Sequence, residues 1–313
     1  MTARQIRRLL LFLLGDLFLF GLCLCLYALF HHVLPHSIGH LYGAVESGVD
    51  IDFSERYPDR FTQNGEIQRG DDYYRDGDLD LTLKTCEEDG VVYHVADFYI
   101  RSIQNFRTGM AGEEFATGVA DTVLNMAEKY DALLAISGDY FGIRQRGVVI
   151  RNGEIYRKTR AHQVCVLYQN GTMETYPYAS FDVEKAIAGG AWQAWDFGPA
   201  LLDKNGKAFE EFDTGIAGEN PRAGMGYFEP GHYCFVAVDG RQISSRGMTL
   251  REMALLFEKL GCRCAYNLDG GHSAVMVYDG KIYSSPSKPG GREISDVVYL
   301  YSSDYAAREK EQK

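Results

Sequence analysis

Asn267-Leu268-Asp269-Gly270-Gly271-His272-Ser273 stands between an apolar helical pattern, Leu250 to Leu260, that ends at Gly261, and a strand-like run, Ala274 to Tyr278. A carboxylate at a strand end, followed by residues with no Cβ, lets a chain bring an acid and backbone N–H groups close to a ligand. Asp-Gly is also the commonest hairpin turn, so the segment alone reads either way. Its surroundings favour a site. The preceding helix, Met248 to Leu260, has Thr249 or Ser245 near its N-cap and Glu252 in its first turn. Before it, an apolar strand from Tyr233 to Val238 ends at Asp239-Gly240-Arg241.

Outward from there the chain alternates in the same way. Leu79, Leu81 and Leu83 interleave with Asp80, Thr82 and Lys84, a half-buried strand, and Val91 to Ile100 follows after Glu88-Asp89-Gly90. Gly118 to Tyr130 has helical spacing, and Ala132 to Ser137 is a short strand ending at Gly138-Asp139-Tyr140-Phe141-Gly142. Arg151-Asn152-Gly153 and Gln169-Asn170-Gly171-Thr172 each join two strand-like runs. Val183 to Ala188 reads as a short helix, and Lys281 to Tyr283 and Val297 to Tyr301 as further strands. The expected fold is α+β: a mixed β-sheet domain over 78–303 with a few packed helices, preceded by one N-terminal transmembrane helix.

That helix is expected between Leu9 and about Phe30, after Arg4, Arg7 and Arg8. Its length suffices to cross roughly 30 Å of hydrocarbon. The leading arginines predict a single-pass cell-membrane protein with its N-terminus inside and its domain outside. No small-x-small cleavage site closes the apolar run, which favours an uncleaved signal-anchor over a signal peptide. The expected organisation is a cytoplasmic tip and anchor at 1–34, a polar stalk at 35–77, the domain, and a charged tail at 304–313. His31, His32, His36 and His40 cluster at the membrane exit and read as an interfacial polar group.

With 46% hydrophobic and 13% aromatic residues, the 313-residue chain can bury a core. A net charge of −11 argues against a nucleic-acid partner. Five of the seven cysteines, Cys86, Cys165, Cys234, Cys262 and Cys264, fall in the domain; the odd number precludes a complete disulfide framework, and free or buried thiols are expected. Asp76, Asp78, Asp80 and Glu87 approach a calcium-loop spacing, but Leu81 stands where the loop needs Gly. No metal site and no cofactor are expected, with a divalent cation such as calcium left open.

Three acids follow strand ends beside glycine: Asp139, Asp239 and Asp269. Arg222, in Asn220-Pro221-Arg222-Ala223, and Arg292, in Pro289-Gly290-Gly291-Arg292, offer the bidentate fork that suits phosphate. P-loop, dinucleotide, nucleophile-elbow and zincin motifs are absent from the sequence. Asp269, His272 and Ser273 lie too close in sequence to form a triad from an extended chain.

The order Ser137-Gly138-Asp139-Tyr140-Phe141, Gly198-Pro199, Asn220-Pro221-Arg222-Ala223, Val238-Asp239-Gly240-Arg241, Gly247 to Ala254, Asn267 to Ser273 and Arg292 resembles the phosphodiester glycosidase family. This is the family of the lysosomal enzyme that uncovers mannose phosphate by removing N-acetylglucosamine. The resemblance covers roughly Asp78 to Tyr301. There are two departures from the family pattern: His272 replaces a third glycine, and Gly138-Asp139 stand in place of Asn-Gly. The resemblance implies hydrolysis of a sugar-1-phosphodiester in a cell-wall or exopolysaccharide glycan. Asp269 would be nucleophile or base, and Asp139 and Asp239 would bind sugar hydroxyls or supply the second carboxylate. Arg222, Arg292 and the amides of Gly270 and Gly271 would hold phosphate, with Asn220, Arg241, His272 and Ser273 as further substrate contacts. A non-catalytic glycan-binding module and a metal-dependent phosphodiesterase are the alternatives.

Overall fold

The computed structural model describes residues 3–30, 36–37, 42–46, 48 and 50–312. Three antiparallel sheets face one another around a shared core. The largest orders its strands Cys264–Leu268, Arg222–Glu229, His232–Val238, Val91–Ile100, Leu79–Glu88, Tyr73–Arg75 and Gln68–Arg69. The alternating leucines decide its register. Leu79 pairs with Ile100 and Glu88 with Val91, and Leu79, Leu81 and Leu83 are buried. Asp89 and Gly90, with φ of 52° and 70°, make the tight hairpin turn that right-twisted strands prefer.

The second sheet runs Lys281–Ile282, Met276–Tyr278, Leu134–Ser137, Asp296–Leu300 and Phe106–Met110; the third runs Glu154–Arg157, Val149–Arg151, Ala191–Asp196, Val164–Tyr168 and Met173–Tyr176. Phe98, Phe106, Trp195, Tyr233 and Phe235 fill the space between the sheets, with Phe98 and Phe235 edge-to-face at 4.8 Å.

Each sheet carries one helix on its outer face. Leu250, Met253, Ala254 and Phe257 recur at helical spacing, and the helix Leu250–Leu260 buries them against Val236 and Val238. Thr249 and Glu252 close a capping box at its start, and Gly261, at φ 89°, ends it. Val123–Lys129 packs on the second sheet and Val183–Ala188 on the third. The N-terminal helix, Ala3–Ala28, is long and apolar enough to cross a membrane, and its large apolar side chains are exposed.

Two stretches differ from expectation. Part of the span read as a stalk belongs to the domain: Gln68–Arg69 and Tyr73–Arg75 extend the large sheet, and Phe53 and Tyr74 are buried in the core. Their apolar side chains are too sparse to show a period in the sequence. The span read as a charged tail begins as the helix Ser303–Gln312, which buries Tyr305 and Ala306. The acids of the calcium-like spacing serve the chain itself: the Asp76 carboxylate accepts from the backbone of Asp78 and Leu79 and from the Tyr74 and Ser302 hydroxyls. Cys165, Cys234, Cys262 and Cys264 are buried thiols and Cys86 is half-buried. His31, His32 and His40 lie outside the described residues.

Candidate active site

Strand Cys264–Leu268 lies at one edge of the large sheet, and strand Leu134–Ser137 lies inside the second. Their ends meet where the Asp269 backbone N–H donates to the Gly138 carbonyl at 2.9 Å. The Asp269 side chain therefore sits at a seam between two sheets, and the residue is only 7% exposed. Its Oδ2 accepts a 2.7 Å hydrogen bond from Arg292 Nη2, and Arg292 Nε donates to Ser273 Oγ at 2.9 Å. Burial pushes the Asp269 carboxyl above the usual carboxylate range; hydrogen bonds from Ser273 and Arg292, and the Arg292 and Arg144 charges, oppose that shift.

The glycines act through close approach. A Cβ on Gly270 would stand 2.7 Å from the Pro221 carbonyl oxygen. Gly271 turns at φ 61°, and its N–H donates to the same oxygen at 2.8 Å. Arg241 crosses over this turn, 3.5 Å from where a Gly271 Cβ would be, and its Nη2 donates to Asn220 Oδ1 at 2.7 Å. His272 is exposed, its Nδ1 3.0 Å from Ser287 Oγ. Gly290 and Gly291, both left-handed, bring the chain back so that the Arg292 N–H donates to the His272 carbonyl at 2.8 Å.

Asp269, Gly270, Gly271, His272, Ser273, Arg292, Arg241 and Asn220 thus gather at one place. Three expected residues do not. The Arg222 guanidinium is buried and donates to the carbonyls of Met248, Ile216 and Gly218, so it holds the preceding loop in place of a phosphate. Burial, and then the Arg241 charge, lower its pKa to about 10. Asp239 is buried against His94 Nε2 at 3.0 Å and accepts from the Ser285 N–H at 2.8 Å. Asp139, 2% exposed, faces inward to Arg151 Nη2 at 2.9 Å and accepts from the Asp196 N–H. The two acids stand at glycine-flanked strand ends, which the interior of a layered sheet protein also needs, and Arg222 follows a proline-fixed loop that its guanidinium itself holds. The Gly271 amide, spent on Pro221, is likewise not a phosphate donor.

Several residues at the site were not expected as site residues, although Tyr140 stands inside the Ser137-Gly138-Asp139-Tyr140-Phe141 segment. Arg151 Nη2 also pairs with Asp296 Oδ2 at 3.0 Å, and Asp296 Oδ1 accepts from the backbone N–H groups of Asp139 and Tyr140. This fully buried group holds Tyr140 in the left-handed region, φ 53°, where its ring lies 4.8 Å beneath the Arg292 guanidinium. Arg144 follows in the same loop. The available signal was position: Tyr140 and Arg144 stand directly after the glycine-flanked strand end at Gly138. Among the described residues, no group of three or more His, Cys, Asp or Glu side chains is placed to hold a metal ion.

Residues 130–301, over half of the chain, match the phosphodiester glycosidase family. The SPbeta prophage-derived uncharacterized protein YomE of Bacillus subtilis (strain 168) is 29% identical over 197 residues, 59% of this chain. Those residues span only 30% of that relative's length. Among solved structures, the catalytic domain of zebrafish N-acetylglucosamine-1-phosphodiester alpha-N-acetylglucosaminidase, auto-inhibited by its pro-peptide, is similar in fold. It aligns with a TM-score of 0.58 over 76% of this chain and 88% of that one, at 20% identity. On that match over more than half of its length, this chain belongs to the phosphodiester glycosidase family.

Proposed function

We propose that the chain hydrolyses a glycosyl phosphodiester by cleaving the bond between the anomeric carbon and the phosphate oxygen. The observation that carries this reading is the buried Asp269 carboxylate, paired with Arg292 and within reach of the Arg144 charge, with Arg241 over the Gly271 turn that follows. Phosphate is a good leaving group at an anomeric centre, and it needs charge stabilisation more than protonation. Half-exposed Arg292 can exchange its bond to Asp269 for one to the diester oxygens, with Arg241 and Arg144 adding positive charge. Release from Arg292 leaves Asp269 free to attack the oxocarbenium-like carbon or to activate water there. Among the three expected acids, Asp269 alone is paired with a half-exposed partner, so it can take the proton of the attacking water while the phosphate monoester leaves as its anion.

The substrate is proposed to be a cell-wall or exopolysaccharide glycan, reached from a membrane through the Ala3–Ala28 helix, with the N-terminus inside and the domain outside. The polar segment after the helix then sets its distance from the bilayer. The reading is tested by incubating the protein with a panel of sugar-1-phosphate methyl diesters in ¹⁸O-water. Release of free sugar carrying ¹⁸O supports it. Label in the phosphate would show P–O cleavage and replace it with a phosphodiesterase, and binding without release from any diester would leave a glycan-binding module.

A further inference from the structure

The chain enters its domain soon after the N-terminal helix, and it does so beside the site. His36–Ser37 pairs antiparallel with Ala116–Thr117, so the chain is part of the domain from His36 onward. Only five residues separate His36 from Phe30, where the apolar run ends. Fully extended, at about 3.3–3.6 Å per residue, that connection spans roughly 20 Å at most. The strand Ala116–Thr117 lies against the turn Phe141–Ile143. A Cβ on Gly142 would stand 3.2 Å from the Ala116 carbonyl oxygen, and the Phe115 and Phe141 rings stack with centres 5.1 Å apart. Tyr140 and Arg144, which reach Arg292 and Asp269, flank that turn. With the helix in a bilayer, the mouth of the site is therefore held close to the membrane surface.

The rim of that mouth is apolar and basic. Ile143, 62% exposed, stands directly before Arg144. Ile243 is fully exposed at the tip of the turn closed by Gln242 and Ser245, two residues after Arg241. Gln242 Nε2 donates to the Ser285 carbonyl at 2.6 Å, which braces the turn against the segment leading to Arg292. Single exposed isoleucines are ordinary. Two on the rim of one site are not, and Ile243 is the most exposed large apolar side chain among the described residues. In a chain of net charge −11, the loops 140–147, 240–247 and 284–293 carry Arg144, Arg146, Arg241, Arg246, Lys288 and Arg292 against one acid, Glu293. Arg246 is spent on Glu219 and Glu252, and Arg292 is paired with Asp269. On the flanking segments Glu113 pairs with Lys129 and Glu210 with Arg251, while Glu114, Glu211 and Asp213 lower the positive excess. Apolar tips among basic side chains suit a headgroup layer: the tips enter the acyl boundary and the cations meet lipid phosphates.

We infer that the mouth of the site docks on the membrane surface through Ile143 and Ile243, and that its glycosyl phosphodiester is carried on a lipid at that depth. The inference rests on the proposed anchor and hydrolase readings, and the experiment keeps them apart. Full chains bearing Ile143→Trp, Ile243→Trp or Tyr73→Trp are reconstituted in nanodiscs of mixed zwitterionic and anionic phospholipid, with plain or brominated acyl chains. Trp192 and Trp195 are buried and give a constant background. Tyr73 is the control: it is 45% exposed at the far end of the strand Met276–Tyr278, where the Tyr278 hydroxyl donates to its carbonyl at 2.8 Å. Brominated lipid is expected to quench the Ile143→Trp and Ile243→Trp variants, whose emission lies to the blue, and to leave Tyr73→Trp unchanged. No quenching at either isoleucine, or equal quenching in Tyr73→Trp, overturns the docking. In the same nanodiscs, wild-type kcat/KM is compared between a glycosyl phosphodiester on a long alkyl chain and the methyl diester of the same sugar. The lipid-borne diester is expected to be favoured by about tenfold or more, since sharing the membrane raises its effective concentration. Equal values overturn the lipid-borne substrate and leave the hydrolase reading standing. Turnover of neither diester counts against the hydrolase reading, and the docking is then judged by the quenching alone. A mature chain recovered without Ala3–Ala28 overturns the anchor and this inference together.

Discussion

Arg292 Nη2 lies 2.7 Å from Asp269 Oδ2, and the same guanidinium reaches Ser273 through Nε. The pair is unequally placed: the Asp269 side chain is 10% exposed and that of Arg292 is 42% exposed. One partner is fixed in the seam and the other can leave. Asp269→Asn keeps the shape and removes the charge, and is expected to lower kcat by about 10²–10⁴-fold, the usual contribution of a positioned acid or base. Arg292→Ala is expected to cost about 10²–10³-fold, as for loss of one donor to developing charge. Sugar release by Asp269→Asn within a few-fold of wild type would remove Asp269 from the mechanism.

The pH profile follows from the same pair. In the proposed reaction Asp269 acts when ionised, and burial raises its pKa, so activity should fall with acid at a pH above the ordinary carboxylate range of about 4. Arg292 opposes that rise. Removing it in Arg292→Ala should move the acid limb of the residual kcat/KM to higher pH. A limb that stays put or moves down would show that another group controls it.

Much of this architecture was legible in the sequence because it rests on short-range rules. The period-two leucines at 79–83, the Thr249 and Glu252 cap, and the glycines around Asp269 each announce themselves within a few residues. Partnerships across sheets do not. Arg222 and Arg292 both follow turn-forming segments, yet one is spent on three carbonyls and the other reaches the site. Asp139 and Asp269 both end strands beside glycine, and only the pairing of Gly138 with Asp269 decides which of them faces inward. Arg151 and Asp296, 145 positions apart, carry no local pattern, although they set the loop beneath Arg292.

Gly270 offers a test of close approach that does not depend on glycine's freedom in φ. Its φ is −110°, which any residue adopts, but an added Cβ would meet the Pro221 oxygen at 2.7 Å. Backbone cannot yield as a flexible side chain does, so Gly270→Ala should cost about 1–3 kcal/mol of stability and most of the activity. Gly215, whose Cβ would meet nothing within 4 Å, is the control. Equal urea midpoints for the two alanine variants would mean that the Pro221 contact is not held in solution.

Beneath the site, Arg151, Asp139 and Asp296 place one positive and two potentially negative groups in a fully buried space. Burial, and then the Asp139 charge, raise the Asp296 carboxyl to about 7, while Arg151 opposes the rise. In the unfolded chain the same group titrates near 3.9. The folded state therefore binds this proton more tightly, so its stabilising contribution is present below about pH 4, falls as pH rises to about 7, and is constant above. Asp139 Oδ1 and Asp296 Oδ2 share the same Arg151 Nη2, at 2.9 Å and 3.0 Å, so the two acids lie on one cation. Asp296→Asn removes the titration and keeps an oxygen for the Asp139 and Tyr140 N–H groups. Urea unfolding at pH 5 and pH 7.5 should show wild type losing stability toward the higher pH, with the variant losing less. Raised carboxyls elsewhere, Asp76 and Asp269 among them, act in the same direction in both proteins, so the difference between the two isolates Asp296. An identical pH dependence in the variant would mean that Asp296 is already ionised in the folded protein across this window, and that Arg151 alone balances both acids.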